Sequence, residues 1–228
     1  MKKNAFTLAE VLITLAIVGV VAAVSLPTLN TNVQKQGLSA QVSKFYNQYT
    51  KAIQMYLVDN ELDEIPRSFN VDAFVKKYFK VTQKCEKEEG SENICWASTY
   101  RTIDNNEVEI DRGGMYEGSG QDDTSGSYML ADGAVMVFLG GENYHLLMFD
   151  INGKKGPNIV GYDYHLVGVF PNGDMSGVIF NDVAFINRFE EPNAYKEAVE
   201  EAFQKCKSGE VGGSCFDHLR NNGFRFDY

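Results

Sequence analysis

The feature that most constrains this chain is its N-terminal segment, an apolar run with one acid inside it. Lys2 and Lys3 open the chain, and the residues from Ala5 to Leu29 are almost all apolar. As an α-helix this run measures about 37 Å, which is enough to cross the hydrocarbon core of a bilayer. Glu10 is the one charged residue in the run, and a charge costs roughly 2.5–3.5 kcal/mol near the middle of a membrane helix and less near its end. The segment therefore predicts a membrane helix whose carboxylate needs a partner.

Two simple interpretations of this segment each leave something unexplained. A secretory signal peptide has an apolar core of about 7–15 residues followed by a small-residue cleavage site. This run is longer, contains an acid and is followed by no clear A-x-A site. A plain membrane anchor explains the length and the lysines, which keep the N-terminus in the cytoplasm, but it does not explain Glu10.

The stretch A-F-T-L-A-E-V-L-I-T-L, which starts at Ala5, resembles the start of type IV prepilins and type II secretion pseudopilins. In that family a short basic leader ends in a small residue, a phenylalanine follows, and a glutamate stands at the fifth mature position. The resemblance implies a leader of residues 1–5, cleavage between Ala5 and Phe6 by a prepilin peptidase, and methylation of the new Phe6 amine. The family usually has glycine before the cut, where this chain has Ala5. Gly19 and Pro27 fall where many pilins carry a glycine and a proline.

The same resemblance supplies a partner for Glu10. The new N-terminal amine of one subunit is a cation at membrane depth, and Glu10 of a neighbour is an anion at similar depth, so pairing relieves two desolvation costs. A head-to-tail contact of this kind repeats without closing and builds a helical filament. We therefore expect Glu10 to act in assembly and not in catalysis. The implied partners are the peptidase, other pilin or pseudopilin subunits, and an inner-membrane assembly platform.

Hydrophobic periodicity predicts that the N-terminal helix is long. From Leu38 to Tyr56 apolar residues recur at spacings of three and four, which is the pattern of one helix face. Residues 6–29 and 30–60 are therefore expected to form one helix, with a transmembrane first half and an amphipathic second half. The second half is expected to pack on a globular head, as in pilins.

The pattern of apolar residues and turn sequences in the head, residues 61–228, predicts an α+β fold. Its antiparallel sheet is expected to have three to five strands. Asp72 is expected to cap a short helix, because it precedes an apolar-periodic stretch. The expected elements are helices over 72–80 and 193–206 and strands over 97–103, 108–110, 128–130, 134–139, 144–151, 167–170 and 178–180.

The four cysteines form an even set in a domain placed outside the cytoplasm, which predicts two disulfides. Four cysteines allow three pairings, and short loops favour Cys85 with Cys95 and Cys206 with Cys215. A zinc site would need closer ligand spacing and histidine partners.

A candidate metal site follows the strongest predicted strand. Asp150, Asn152 and Asp163 offer oxygen ligands of the kind that calcium prefers, and the element resembles one that recurs in pilin-like proteins. The EF-hand pattern is absent, Lys154 and Lys155 oppose a cation, and Asn-Gly and Gly-Pro-Asn are turn sequences as well. Calcium is the single cofactor that this pattern raises as a hypothesis.

The composition argues against a nucleic-acid-binding protein and the motifs against an enzyme. The net charge of −10 disfavours binding to a phosphate backbone, and the common catalytic motifs are absent from the sequence. The acidic residues Asp104, Glu107, Glu109 and Asp111 fit a solvated strand edge.

The sequence as a whole predicts a structural subunit of a type IV pilus or a type II secretion pseudopilus. Its size favours a minor subunit. It is expected in the inner membrane as a single-pass protein with its head outside the cytoplasm, before assembly into a pilus or periplasmic pseudopilus. The alternative is a membrane-tethered binding protein or adhesin whose head recognises a ligand.

Overall fold

The computed structural model of the protein describes residues 7–66, 68–85, 95–108, 126–139, 145–177, 191–210 and 213–228, with the side chains of 24–32 left out. The chain divides into two compact units, Met1–Gly37 and Leu38–Tyr228.

The first element is helix α1, Leu8–Asp59, which agrees with the predicted long helix. Its residues up to Gly37 belong to the first unit and the rest to the second. Among the residues whose side chains are described, no helix combines the length and the apolar character that crossing a membrane requires. The membrane span predicted for residues 6–29 therefore stays a prediction.

The part of α1 in the second unit buries the predicted apolar face. Leu38, Val42, Phe45, Tyr49 and Ile53 are all buried. The ring of Phe45 stacks on that of Phe149 with centroids 4.2 Å apart. The helical spacing read from the sequence therefore identifies the residues that cover the sheet.

The head contains a six-stranded antiparallel sheet in the order β1-β4-β5-β6-β7-β8 and a two-stranded sheet of β2 and β3. The α+β class is confirmed, but the larger sheet has more strands than predicted because β1 was not foreseen. Most side chains of β1 are exposed, so it lacks the alternating pattern that marks a half-buried strand. The strands are Val81–Cys85, Tyr100–Arg101, Glu107–Val108, Ser127–Leu130, Val135–Leu139, His145–Asp150, Tyr164–Val169 and Met175–Ser176.

Two tight turns join neighbouring strands as the turn sequences predict. Gly133 ends the turn between β4 and β5 with φ +91°, and Gly173 does the same between β7 and β8 with φ +82°; both backbones occupy a region that favours glycine. The strand predicted over 178–180 lies outside the described residues, and β8 precedes it.

The described residues of the head also include three helices: α2, Val71–Tyr78; α3, Pro192–Ser208; and α4, Phe216–Asn221. Asn70 is the N-cap of α2, with its side-chain oxygen accepting the N–H of Ala73 at 2.9 Å, so the prediction of Asp72 as the cap was wrong. Asp72 instead lies in the first turn, where a carboxylate is favoured by the helix dipole. The short α4 was not predicted.

The large sheet separates two apolar clusters. Alternating residues of β5 point to opposite faces: Met136 and Phe138 join the core with α1 and α2, while Val135 and Val137 pack with Trp96. The sheet is therefore covered on both faces.

Candidate functional site

The first turn of α1 holds Glu10 through a local set of hydrogen bonds with Thr7. The backbone N–H and the hydroxyl of Thr7 both donate to Oε2 of Glu10 at 2.8 Å. The N–H of Glu10 in turn donates to the Thr7 hydroxyl oxygen at 3.3 Å. This reciprocal arrangement is a capping box, which satisfies free N–H groups at a helix start.

The capping box adds a contact that the sequence analysis did not name. Thr7 gives the Glu10 carboxylate two neutral hydrogen-bond donors, and the pairing of Glu10 with the amine of a neighbouring subunit stays a prediction. The T-x-x-E spacing in front of an apolar run is itself a sequence signature of this motif, so Thr7 could have been identified from the sequence. The predicted leader residues 1–5, the cleavage position at Ala5 and the methylation position at Phe6 lie outside the described residues.

The helix surface on both sides of Glu10 is apolar and exposed. Leu8, Leu12, Ile13, Leu15 and Val18 have 58–79% of their surface exposed. The hydroxyl of Thr14 donates to the carbonyl oxygen of Val11 at 2.9 Å, so the polar side chain inside this stretch is bonded within its own helix. The segment therefore exposes apolar side chains, and its Thr14 hydroxyl has a hydrogen-bond acceptor within the same helix.

The candidate metal ligands lie on the loop between β6 and β7. Asp150 is fully buried, and its Oδ1 accepts the N–H groups of Asn152 at 2.9 Å and Gly153 at 2.8 Å. Its Oδ2 accepts the hydroxyl of Tyr100 at 2.7 Å. Asp150 therefore fixes the start of the loop through three donors.

Asp163 fixes the end of the same loop in the same way. Its Oδ2 accepts the N–H of Asn158 at 2.7 Å, and its Oδ1 accepts those of Ile159 at 2.6 Å and Tyr164 at 3.1 Å. Asp163 is also fully buried. Two buried aspartates thus replace the backbone partners that the irregular loop lacks.

The two carboxyl groups influence each other. Burial raises the pKa of Asp150 to about 8, and the charge of Asp163 adds to that rise. Burial also raises the pKa of Asp163 to about 6, although its backbone hydrogen bonds act in the opposite direction. The pKa of Tyr100 is raised by burial and by the adjacent Asp150.

These contacts neither require nor exclude a metal at Asp150, Asn152 and Asp163. All four carboxylate oxygens accept hydrogen bonds, which accounts for the aspartates without a cation. The amide oxygen Oδ1 of Asn152 is buried without a hydrogen-bond partner. Within the described residues, no group of three or more His, Cys, Asp and Glu side chains is placed to hold a metal. Calcium at this loop stays a prediction.

Both disulfides form with the predicted pairing, Cys85 with Cys95 and Cys206 with Cys215. The second disulfide lies against the backbone of Gly161, where an added Cβ would be 2.8 Å from Sγ of Cys215. It therefore joins the end of α3 to the start of α4 and packs against the end of the β6–β7 loop.

The comparisons with known proteins bear on the N-terminal segment. Residues 1–26 match the family described as the prokaryotic N-terminal methylation motif. The match confirms the resemblance drawn from the sequence, so the chain is type IV pilin- or pseudopilin-like. The motif implies processing by a prepilin peptidase and assembly with other pilins. Searches among curated proteins and among solved structures each return no match.

Proposed function

We propose that this protein is a structural subunit of a type IV pilus or type II secretion pseudopilus, cut by a prepilin peptidase and assembled into a helical filament. The single observation that carries this proposal is the match of residues 1–26 to the methylation motif. In the proposed reaction the peptidase hydrolyses the Ala5–Phe6 bond with one water, which frees the Ala5 carboxylate and the Phe6 amine. The amine then takes a methyl group from an electrophilic methyl donor and loses a proton.

The exposed apolar surface on both sides of Glu10 supports this proposal. Burying a large aliphatic side chain contributes about 1.5–3 kcal/mol, and Leu8, Leu12, Ile13 and Leu15 are all largely exposed in the single chain. Lipid would cover these side chains before assembly, and the helices of neighbouring subunits would cover them in a filament. In this proposal the subunit lies first in the inner membrane, with its head outside the cytoplasm, and then joins the filament at an assembly platform.

Glu10 takes the assembly role in this proposal. In the free subunit its carboxylate accepts two hydrogen bonds from Thr7. A carboxylate has further acceptor capacity, so the Phe6 amine of a neighbour can bind without removing both existing bonds. The capping box then keeps the Glu10 carboxylate at the start of the helix when the amine of the neighbouring subunit binds.

Mass spectrometry of the chain co-expressed with a prepilin peptidase tests the proposal. We expect loss of residues 1–5 and the gain of one methyl group on Phe6. Expression without the peptidase serves as the control for both cleavage and methylation, because the amine of Phe6 is free only after the leader is removed. A chain that keeps Lys2 and Lys3 in the presence of an active peptidase would overturn the proposal and favour a membrane-tethered binding protein.

The size of the chain, 228 residues, favours a minor subunit. Quantitative mass spectrometry of purified filaments measures the copy number against the main subunit. We expect the chain in filaments at a lower copy number, and a chain that forms the bulk of the filament would be a major subunit instead.

A further inference from the structure

Residues 223–228, which we call the latch, leave the end of α4 and cross the head without joining the sheet. Residues 225–228 belong to no helix or strand. Exposure alternates along them, because Arg225 and Asp227 are exposed whereas Phe226 and Tyr228 are half-buried. The aromatic rings therefore face the head, and the latch is attached to it mainly by side chains.

The latch begins in an unfavourable backbone conformation. Gly223 has φ +63° and Phe224 has φ +59°, a region that is rarely occupied by a bulky residue. The ring of Phe224 packs on that of Tyr46 in α1 with centroids 5.3 Å apart, and the hydroxyl of Ser39 donates to the main-chain oxygen of Phe224. Contacts with α1 therefore hold the start of the latch in place.

The other end of the latch is attached to the end of the β6–β7 loop. The ring of Tyr228 stacks on that of Tyr162 with centroids 5.5 Å apart, and the edge of Phe226 contacts Tyr162 at 5.0 Å. The hydroxyl of Tyr162 donates to the main-chain oxygen of Tyr228 at 2.7 Å. The hydroxyl of Tyr228 donates to the carbonyl oxygen of Gly161 at 2.9 Å.

This end of the latch lies over the disulfide between Cys206 and Cys215. Tyr228 packs against the cluster that these cysteines form with Phe203, and its ring is 5.0 Å from that of Phe203. A Cβ added to Gly161 would be 2.8 Å from Sγ of Cys215 and 3.1 Å from Sγ of Cys206. The cysteines are 3% and 2% exposed, so Tyr228 and the Gly161 that it binds form part of their cover.

We propose that the latch controls access to the Cys206–Cys215 disulfide. The closed latch shields the two sulfurs, and local opening of the latch exposes them to an external dithiol. Because side chains make most of its contacts, the latch can open while the sheet stays folded. The inference goes beyond the proposed function and does not depend on it, since it concerns the head alone.

Opening of the latch permits thiol–disulfide exchange. One thiolate of the dithiol attacks Sγ of one cysteine, the S–S bond breaks, and the other cysteine leaves as a thiolate. The second thiolate of the dithiol then attacks its own sulfur in the mixed disulfide and releases the first cysteine. Two electrons pass from the dithiol, which becomes a disulfide, and the two cysteine thiolates take up protons. Reduction thus removes the link between the end of α3 and the start of α4.

The reduction rates of the two disulfides, measured in the full chain in detergent with dithiothreitol, test the proposal. Alkylation of the freed thiols and peptide mass mapping follow Cys206–Cys215 and Cys85–Cys95 separately. Tyr228→Ala removes both the ring and the hydroxyl that cover the first disulfide. We expect its reduction to become about tenfold faster, while the rate for Cys85–Cys95 stays unchanged. Tyr228→Phe keeps the ring and should give a smaller increase.

Tyr78→Ala is the matched control. Tyr78 is also half-buried, its hydroxyl donates to Asp59 at 2.8 Å and its ring packs on Phe74, but it lies on α2. This variant should leave the rate for Cys206–Cys215 unchanged. Equal acceleration of both disulfides in Tyr228→Ala, an unchanged rate in both Tyr228 variants, or the same acceleration in Tyr78→Ala would overturn the latch. Formation of both native disulfides before reduction, measured by mass, verifies that each variant has folded.

The urea dependence of the wild-type rates gives a second test that needs no variant. Local opening exposes little surface, so its free energy depends weakly on urea. Below the unfolding transition we therefore expect the reduction rate of Cys206–Cys215 to stay nearly constant. A rate that rises with urea as steeply as global unfolding does would show that reduction requires unfolding of the whole head, and would overturn the latch.

Discussion

The guanidinium of Arg220 donates to the carboxylate of Asp217 at 2.6 Å, and the two side chains are only 6% and 1% exposed. Asp217 also accepts the hydroxyl groups of Ser176 and Tyr195 and the backbone N–H of Gly177. One buried carboxylate thus joins α3, α4 and the strand β8.

Removing the charge of Asp217 should destabilise the head strongly. Asp217→Asn leaves the buried Arg220 without its main counter-charge, and breaking a buried pair in this way costs about 3–5 kcal/mol. Urea denaturation of the full chain in detergent measures the loss. Asp227→Asn is the control, because Asp227 pairs with His218 at 2.9 Å on the surface and its loss should cost less than about 1 kcal/mol. Similar losses in both variants would contradict this account.

Gly161→Ala and Gly37→Ala should change stability in opposite directions. Gly161 has φ +90°, and a Cβ there would meet the Cys206–Cys215 disulfide, so alanine should cost about 1–3 kcal/mol. Gly37 lies in α1 with open space around it, so alanine should stabilise the helix by up to about 1 kcal/mol. Thermal denaturation of both variants checks the signs, and a neutral Gly161→Ala would show that the loop moves freely away from the disulfide.

The stability of the head should fall as pH rises from about 5 to about 9. Burial raises the pKa of Asp163 to about 6 and that of Asp150 to about 8, both above the ordinary 3.8. A raised pKa means that the folded state holds the proton more tightly than the unfolded state. The stabilisation is therefore complete below about pH 3.8 and is lost as pH rises through about 6 and about 8. Urea midpoints across this range measure it.

Asparagine at either position serves as the control for this pH dependence. Asp150→Asn should remove most of the fall near pH 8, and Asp163→Asn most of the fall near pH 6, because an amide does not titrate. A pH profile that is the same in both variants as in the wild type would assign the dependence to other groups.

The local pattern of apolar residues explains why parts of the fold were predictable. The buried face of α3, which includes Tyr195, Val199 and Phe203, and that of α1 repeat every three or four residues, so each is visible within one helix. The hydrogen bond from the Ser176 hydroxyl to Asp217 joins residues some 40 positions apart. Only the folded chain brings them together, so no local pattern predicts this contact. The sequence also could not show that Asp150 and Asp163 accept hydrogen bonds from backbone N–H groups. An aspartate can bind a cation or accept such hydrogen bonds, and the sequence does not distinguish the two roles.

Glu10 and Thr7 should affect assembly to different degrees. Glu10→Ala should leave membrane insertion intact and reduce incorporation into filaments, because the neighbour's amine loses its anion. Thr7→Val removes the hydroxyl donor to Glu10 but keeps the carboxylate, and a lost cap costs only about 0.5–2 kcal/mol. We therefore expect Thr7→Val to retain more incorporation than Glu10→Ala.

Membrane fractionation, leader cleavage and the amount of chain in sheared filaments are the three measurements for these variants. Thr7→Ser, which keeps a hydroxyl, should behave as the wild type. Normal assembly of Glu10→Ala beside the wild type would refute the pairing of Glu10 with the amine.

The strand β1 has a consequence for how such heads behave when crowded together. It lies at one edge of the large sheet, and its pairing with β4 is irregular between Val81 and Gln83. Lys84 is exposed on this strand, and the disulfide of Cys85 fixes its end. Irregular pairing and a lysine on an edge strand discourage another chain from adding a strand there. In the proposed filament, subunits stand at very high local concentration, and an edge strand of this kind opposes the addition of a strand from a neighbouring subunit.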